Sequence, residues 1–364
     1  RRLPSWIAGA LVLTLAALPP IMRSFSALHV DHHGLIDIPA ILMTLCLLLG
    51  LAAPPPESAT PQTGAGTPAR GWFGAAGMLG GLGLWFQASH QLVLIASTLG
   101  ALLLWGLFAR PGPFPARKAE APRLLDPGLW RTWAVSGALV SLAAYLLEYA
   151  PSHMGLRLEV NHPLHALCWW GGTEAVLAVA EWRRTRRWTV SRGVILVLGL
   201  LPAVITLGLM HFAAERCFTV STPFLQRIHS HIGEFAPLLA TPRGANPLIL
   251  LLLFNTLPLL ALYGIGLWAG KSAPAHAKLP LHLALFTLLP VLVLCLRHNR
   301  YSSLLAAALW NMAVAVCLAL ARDAAPVRRR AAMAGIAAGA VASVLFTFSP
   351  LLHARLPFMP VDRW

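Results

Sequence analysis

The sequence predicts an all-α, polytopic membrane protein of about eleven transmembrane helices. Three observations predict it. Apolar runs close to a bilayer-spanning length recur from one end of the 364-residue chain to the other. Only 11% of the residues are charged, well under the roughly 25% of a soluble domain. The mean hydropathy is +0.67. A helix of such residues satisfies its own backbone hydrogen bonds in hydrocarbon, where no water can do so. The runs are continuous rather than alternating, which argues against a β-barrel.

The predicted spans follow in order. The first, 3–22, comes directly after Arg1 and Arg2. The second, 37–54, opens on Asp37 and Pro39, residue types that start helices. Spans at 72–88 and 91–109 are separated by the polar "SHQ" of 89–91. Those at 129–149 and 163–181 flank a polar connector, whose Asn161 and Pro163 form another helix-start arrangement. Spans at 193–211, 247–269, 279–296, 302–321 and 331–349 complete the set. Residues 1–364 thus read as a single transmembrane domain with no internal repeat. The Pro-, Gly- and Thr-rich stretch 54–71 reads as a flexible cytoplasmic linker, and 212–246 as a long external loop.

The net charge of +15 would suggest nucleic acid for a soluble protein. Here the positive-inside rule accounts for it. With residue 1 in the cytoplasm and sides alternating, 19 of the 28 Lys and Arg residues fall on the cytoplasmic side. This predicts a multi-pass protein of the cell (inner) membrane with the start of the chain cytoplasmic, and no nucleic-acid partner. The five cysteines are scattered, without CxxC or metal-ligand spacing, and predict free thiols acting as small apolar groups.

Topology also gathers the polar, non-basic connectors on the external face. In "VDHHGLID" (30–37), Asp31 and His33 lie two residues apart, a spacing at which a carboxylate and an imidazole can share one divalent ion. An interfacial polar loop between two helices is the simpler reading. In 228–238, "IHSHIGEFAPL", Glu234 stands in the long external segment. In 297–310, "RHNRYSSLLAAALW", Arg300 and Tyr301 open a late span against the positive-inside trend. A guanidinium there suits a bidentate phosphate contact, or snorkels to the interface as Arg297 would. The connector before the sixth span carries Arg157, Glu159, Asn161 and His162, followed by Trp169 and Trp170. These could touch sugar hydroxyls and offer a stacking surface, or simply cap a helix at an aromatic belt. Glu148 and Glu174 lie in or near spans, where acids are costly, and Arg157 is the nearest candidate for an ion pair.

The three external segments together resemble the oligosaccharyltransferase catalytic-subunit family, of archaeal and archaeal-like bacterial type. The resemblance implies a C-type glycosyltransferase bundle and transfer of a sugar or oligosaccharide from a lipid-(pyro)phosphate donor on the external face. It implies that Asp31 and His33 hold a catalytic Mg or Mn, and that Asp31 and Glu234 are the catalytic acids. Glu234 would contact the acceptor, a protein or glycan, although His231 stands where that motif prefers Thr or Ser. Arg300, supported by Tyr301, would hold the donor pyrophosphate, with membrane lipids around it. Two family features are missing: a metal-binding aspartate after an earlier span, and a Trp-Trp-Asp motif in a C-terminal soluble domain. A chain truncated at both ends would lack both, as would a divergent glycosyltransferase with another acceptor. The competing classes are a transporter and a non-catalytic membrane assembly protein. A transporter calls for polar groups at mid-membrane or an inverted repeat.

Overall fold

The computed structural model describes residues 5–24, 33–53, 68–108, 126–218, 256–270, 275–322 and 326–348, together with Leu238 and Phe254. The stretch 54–67 and most of the 212–246 segment lie outside the described residues, as do Asp31 and Glu234. The helices are α1 (Ser5–Ala16), α2 (Pro19–Ser24), α3 (His33–Ala52), α4 (Pro68–Phe86), α5 (Ala88–Phe108), α6 (Pro127–Tyr149), α7 (Pro163–Thr185), α8 (Val190–Phe212), α9 (Ala214–Cys217), α10 (Leu257–Ala269), α11 (Ala275–Arg297), α12 (Ser302–Arg322) and α13 (Pro326–Phe348). A 3₁₀ turn, Asn299–Tyr301, joins α11 to α12. Among the described residues there is no strand.

Among the described residues, five segments are long and apolar enough to cross a membrane by length and composition: Leu35–Ala52, Ala88–Phe108, Val190–Phe212, Lys278–Arg297 and Asn299–Ala321. Two of them mark the extremes of burial. Of Asn299–Ala321, 89% lies inside the protein; of Val190–Phe212, only 6% does. Helix α12 is the centre, packed by α3, α10, α11 and α13, while α8 leans mainly on α7 at the rim.

The span expected at 3–22 is instead two helices, broken at Ala17 and Leu18. Pro19 and Pro20 are the cause. Proline supplies no N–H to the preceding turn, and it pushes the residue before it out of the α conformation. Elsewhere side chains cap the helices, and at α7 the cap is His162, next to the Asn161 that the sequence suggested. Asp126 caps α6 by accepting from the Gly128 N–H at 2.9 Å, with Pro127 in the first turn. His162 caps α7 by accepting from the Leu164 N–H at 3.2 Å, with Pro163 following it.

An aromatic column holds α4, α6 and α7 together. Phe73, Trp130, Trp133 and Trp169 follow one another edge to face at 5.0, 5.4 and 4.9 Å between ring centroids. Trp169 is 1% exposed, its indole seated in a notch formed by Gly80 and Gly137. A Cβ at Gly80 would stand 2.6 Å from the Trp169 ring, and one at Gly137 would overlap it. Polar bonds tie further pairs of helices. The Ser136 hydroxyl of α6 donates to the Gly74 carbonyl of α4 at 3.1 Å. His282 Nε2 of α11 donates to the Ala101 carbonyl of α5 at 2.8 Å, and Trp310 Nε1 of α12 donates to the Leu11 carbonyl of α1 at 2.8 Å.

The notch predicts that Gly137→Val overpacks the α4–α6–α7 contact and lowers stability by about 1–3 kcal/mol. Thermal unfolding of the purified protein in mild detergent should show a reduced midpoint, partly restored by a second change, Trp169→Phe. An unchanged midpoint in the single variant would contradict the seating of Trp169.

Candidate functional site

Of the residues singled out in the sequence, the structure sets Arg300 and Tyr301 against His90, and ties Ser303 of the next turn to Asp37, which the sequence offered only as a helix start. Asp37 lies four residues into α3 after His33, the first residue of that helix. It is 1% exposed and accepts a hydrogen bond from the Ser303 hydroxyl of α12 at 3.0 Å. It is therefore a link between two helices and not the helix start expected with Pro39, since α3 begins at His33 and holds both residues within it. A carboxylate inside a membrane bundle is expensive unless bonded, so its place there is specific.

Arg300 and Tyr301 form the corner between α11 and α12. Arg300 Nη2 donates to the Tyr301 hydroxyl at 2.8 Å, and its Cζ stands 4.9 Å from the Tyr301 ring centroid. The Tyr301 ring is buried. It packs against His90 of α5 at 4.7 Å and His298 at 6.5 Å between centroids. The "SHQ" segment delivers His90 because Gln87 alone separates α4 from α5, so the first turn of α5 falls directly at this end of the bundle. Gln91, next along, anchors that turn to α3 by donating to Met43 Sδ at 2.8 Å. A half-buried guanidinium braced by a phenol whose ring packs against two imidazoles is chemistry for holding an anion.

The second group of expected residues belongs to α6 and α7. Arg157 and Glu159 form a loose ion pair at 3.8 Å. Asn161 is 1% exposed, and both ends of its amide are engaged by Ser141 of α6. Its Oδ1 accepts from the Ser141 hydroxyl at 2.8 Å, and its Nδ2 donates to the Ser141 carbonyl at 2.9 Å. Asn161 is thus a clamp within the protein. His162 is buried as the cap of α7, with Tyr145 and His165 against its ring at 5.7 and 6.2 Å between centroids. The Leu158 N–H donates to the Cys217 carbonyl at 2.9 Å, tying this connector to the end of α8 and α9.

Two expectations are corrected. Trp169 offers no stacking surface, being sealed in the aromatic column; Trp170 is 46% exposed. The membrane acids do not pair with Arg157. Glu174 receives Arg131 in a two-pronged pair at 2.7 and 2.9 Å, and Glu148 accepts from Trp85 Nε1 at 2.6 Å. Both partners come from other helices, so no nearest-neighbour reading could find them. The five cysteines are free, as expected, and four of them are buried.

Asp31 and Glu234 lie outside the described residues, and so does the side chain of His33. Among the described residues, no three His, Cys, Asp or Glu side chains come together to hold an ion.

Burial lowers the pKa of His162. The folded protein keeps this ring neutral, as a cap that accepts a hydrogen bond requires, where the unfolded chain would protonate it. Its stabilisation is present above the ordinary histidine value, about 6.5, and is lost as pH falls through the lowered value. His162→Asn, a cap that does not titrate, is expected to flatten the fall of the thermal midpoint between about pH 7.5 and pH 5, by the equivalent of about 1 kcal/mol at the acid end. An identical pH slope in wild type and variant would show that this ring does not titrate with unfolding.

The sequence matches no protein-family model and no curated protein. Solved structures do match. The apo oligosaccharyltransferase of Archaeoglobus fulgidus aligns with a TM-score of 0.56 and 14% identity, over 94% of this chain and 43% of that one. The archaeal oligosaccharyltransferase AglB from the same organism, in complex with an inhibitory peptide and a dolichol-phosphate, aligns at 0.53 and 15%, over 94% and 43%. The form tethered to an acceptor peptide containing the NVT sequon aligns at 0.53 and 14%, over 93% and 42%. The chain therefore spans well under half the length of these relatives. At such identity the likeness is one of fold, and the fold is that of part of an archaeal oligosaccharyltransferase.

Proposed function

We propose that this protein is a membrane glycosyltransferase of the C-type, moving a sugar or oligosaccharide from a lipid-(pyro)phosphate donor to an acceptor protein or glycan. The observation that carries the reading is the braced arginine. Arg300, held by Tyr301 at a corner that packs on His90 and whose next turn bonds Asp37 through Ser303, stands on a fold shared with an oligosaccharyltransferase that has been captured with dolichol-phosphate. In this reading the chain is an eleven-span bundle of the cell (inner) membrane. Residue 1 and the 54–71 linker are cytoplasmic, and the 212–246 loop and the site are external.

Each residue then has a task. Arg300 takes the donor phosphate oxygens by two parallel hydrogen bonds, and Tyr301 fixes its orientation. Its positive charge favours the leaving phosphate as the sugar bond breaks. Glu234 positions the acceptor nucleophile or accepts its proton. Glu159 and His162 border the acceptor side. A carboxylate and one imidazole are a donor set that suits Mg or Mn, so Asp31 and His33 are the residues that would hold the ion. When bound, the ion supplies neutralisation of negative charge on the phosphate.

Transport is the rival reading. It calls for a passage at mid-membrane. Among the described residues, the cavity between α3, α5, α11 and α12 is about 10 Å³, lined by Thr44, Thr287 and Asn311, which is room for one water molecule.

Transfer from a lipid-linked sugar donor, measured in proteoliposomes, tests the proposal. Arg300→Ala should lower transfer about 10- to 100-fold, the loss of a charged hydrogen-bonding group. Chelation with EDTA should abolish transfer and added Mn or Mg restore it. Transfer that survives both Asp31→Ala and Arg300→Ala would sink the assignment.

A further inference from the structure

The last turn of α7, the connector and the first turn of α8 together gather Arg183, Arg184, Arg186, Arg187 and Arg192 within ten residues. They lie at the end of the bundle opposite Arg300. Arg183 Nε donates to the Leu107 carbonyl in the last turn of α5 at 3.2 Å, whereas the first turn of α5 places His90 on Tyr301. A helix of this length separates the two ends by about 30 Å.

The arginines divide into two kinds. Arg184 grips Glu181 with two bonds, at 2.8 and 2.7 Å. Arg192 reaches back from the first turn of α8 to the Arg187 carbonyl at 2.6 Å, the Thr185 hydroxyl at 3.0 Å and Glu181 at 3.4 Å. These contacts set the shape of the connector. Arg186 closes α7 in the left-handed region, at φ 54, with its N–H donating to the Trp182 carbonyl at 2.7 Å. The side chains of Arg186 and Arg187 are exposed, and among the described residues they have no hydrogen-bond or ion-pair partner. The connector thus holds two unengaged guanidinium groups on a frame that other arginines make rigid.

Two further features surround them. Trp182 and Trp188 meet edge to face at 5.9 Å between centroids, and Trp188 is 48% exposed. Exposed tryptophan beside an apolar helix belongs at the headgroup level of a bilayer. Along α8 an apolar outer face runs away from the arginines through Val190, Val194, Val197, Leu201 and Val204, all exposed. A cationic corner rimmed by indole, above a long unpacked apolar column, has the shape and polarity of one kind of ligand.

We propose that the α7–α8 connector binds an anionic phospholipid, its phosphate on Arg186 and Arg187 and its acyl chains along the outer face of α8. A soluble anion would use only the arginines and leave the column unexplained. A zwitterionic lipid brings its own ammonium group into a corner that already carries excess positive charge. The site is independent of the transferase reading, since it lies at the other end of the bundle.

The test uses the full chain in mild detergent, with phosphatidylglycerol, phosphatidylcholine and inorganic phosphate as separate probes. Retention is read by native mass spectrometry and stabilisation by thermal midpoint. Phosphatidylglycerol is expected to bind at least tenfold more tightly than phosphatidylcholine. The double variant Arg186→Ala/Arg187→Ala should lose that preference, Arg186→Lys/Arg187→Lys should keep most of it, and Arg297→Ala should leave it unchanged. Equal retention of the two lipids, or a preference that survives the double alanine variant, would overturn the proposal. Stabilisation by inorganic phosphate equal to that by phosphatidylglycerol would overturn it too, by showing a site for soluble anions.

Discussion

Helices in hydrocarbon gain nothing from burying apolar surface against one another, because lipid tails are as apolar as leucine. Association must come from close packing of backbones and from polar groups that bond across the interface. This constraint orders the protein. Where α4 meets α6 and α7, glycines open a notch and Trp169 fills it. Where α7 crosses α8, Gly171 and Gly199 meet backbone to backbone, leaving no room for a Cβ on either. Elsewhere single polar bonds do the work, from His282 to α5 and from Trp310 to α1.

The same device builds the candidate site. Asp37 and Ser303 join α3 to α12 at one end of the bundle, and Tyr301 joins the α11–α12 corner to α5 through His90. Residues that hold the helices together are thus the residues that present Arg300. A group that braces the bundle has its geometry fixed by packing, which is the preorganisation that the proposed phosphate contact would rely on. The opposite end shows the converse arrangement. There Glu181 and the turn carbonyls engage some arginines and leave Arg186 and Arg187 outward.

Placement of charge separates the two ends. Glu174 and Glu148 are each answered by a donor from another helix, Arg131 and Trp85 respectively. An unanswered acid would be expelled or protonated in such surroundings. Pairing across helices therefore fixes the register of α4 against α6 and of α6 against α7, beyond what packing of small residues alone specifies.

The sequence by itself determined the helical membrane class, the order of the helices and their approximate ends. Length and hydropathy set these locally, because each span satisfies its own backbone. Proline at 19 and 20 was equally visible, yet its effect, splitting the first run into α1 and α2, depended on which conformation the preceding residues took. Arg300 and Tyr301 drew notice because, on the topology the sequence suggests, an arginine there runs against the positive-inside trend. Asp37 and His90 were not legible in this way. Each looks like an ordinary polar residue at a helix start, and its role arises from a partner more than two hundred residues away in the chain. The burial of Trp169 and Asn161 was hidden for the same reason. Composition marks them as suited to a surface, and only the packing of α4 and α6 around them decided that they are sealed inside.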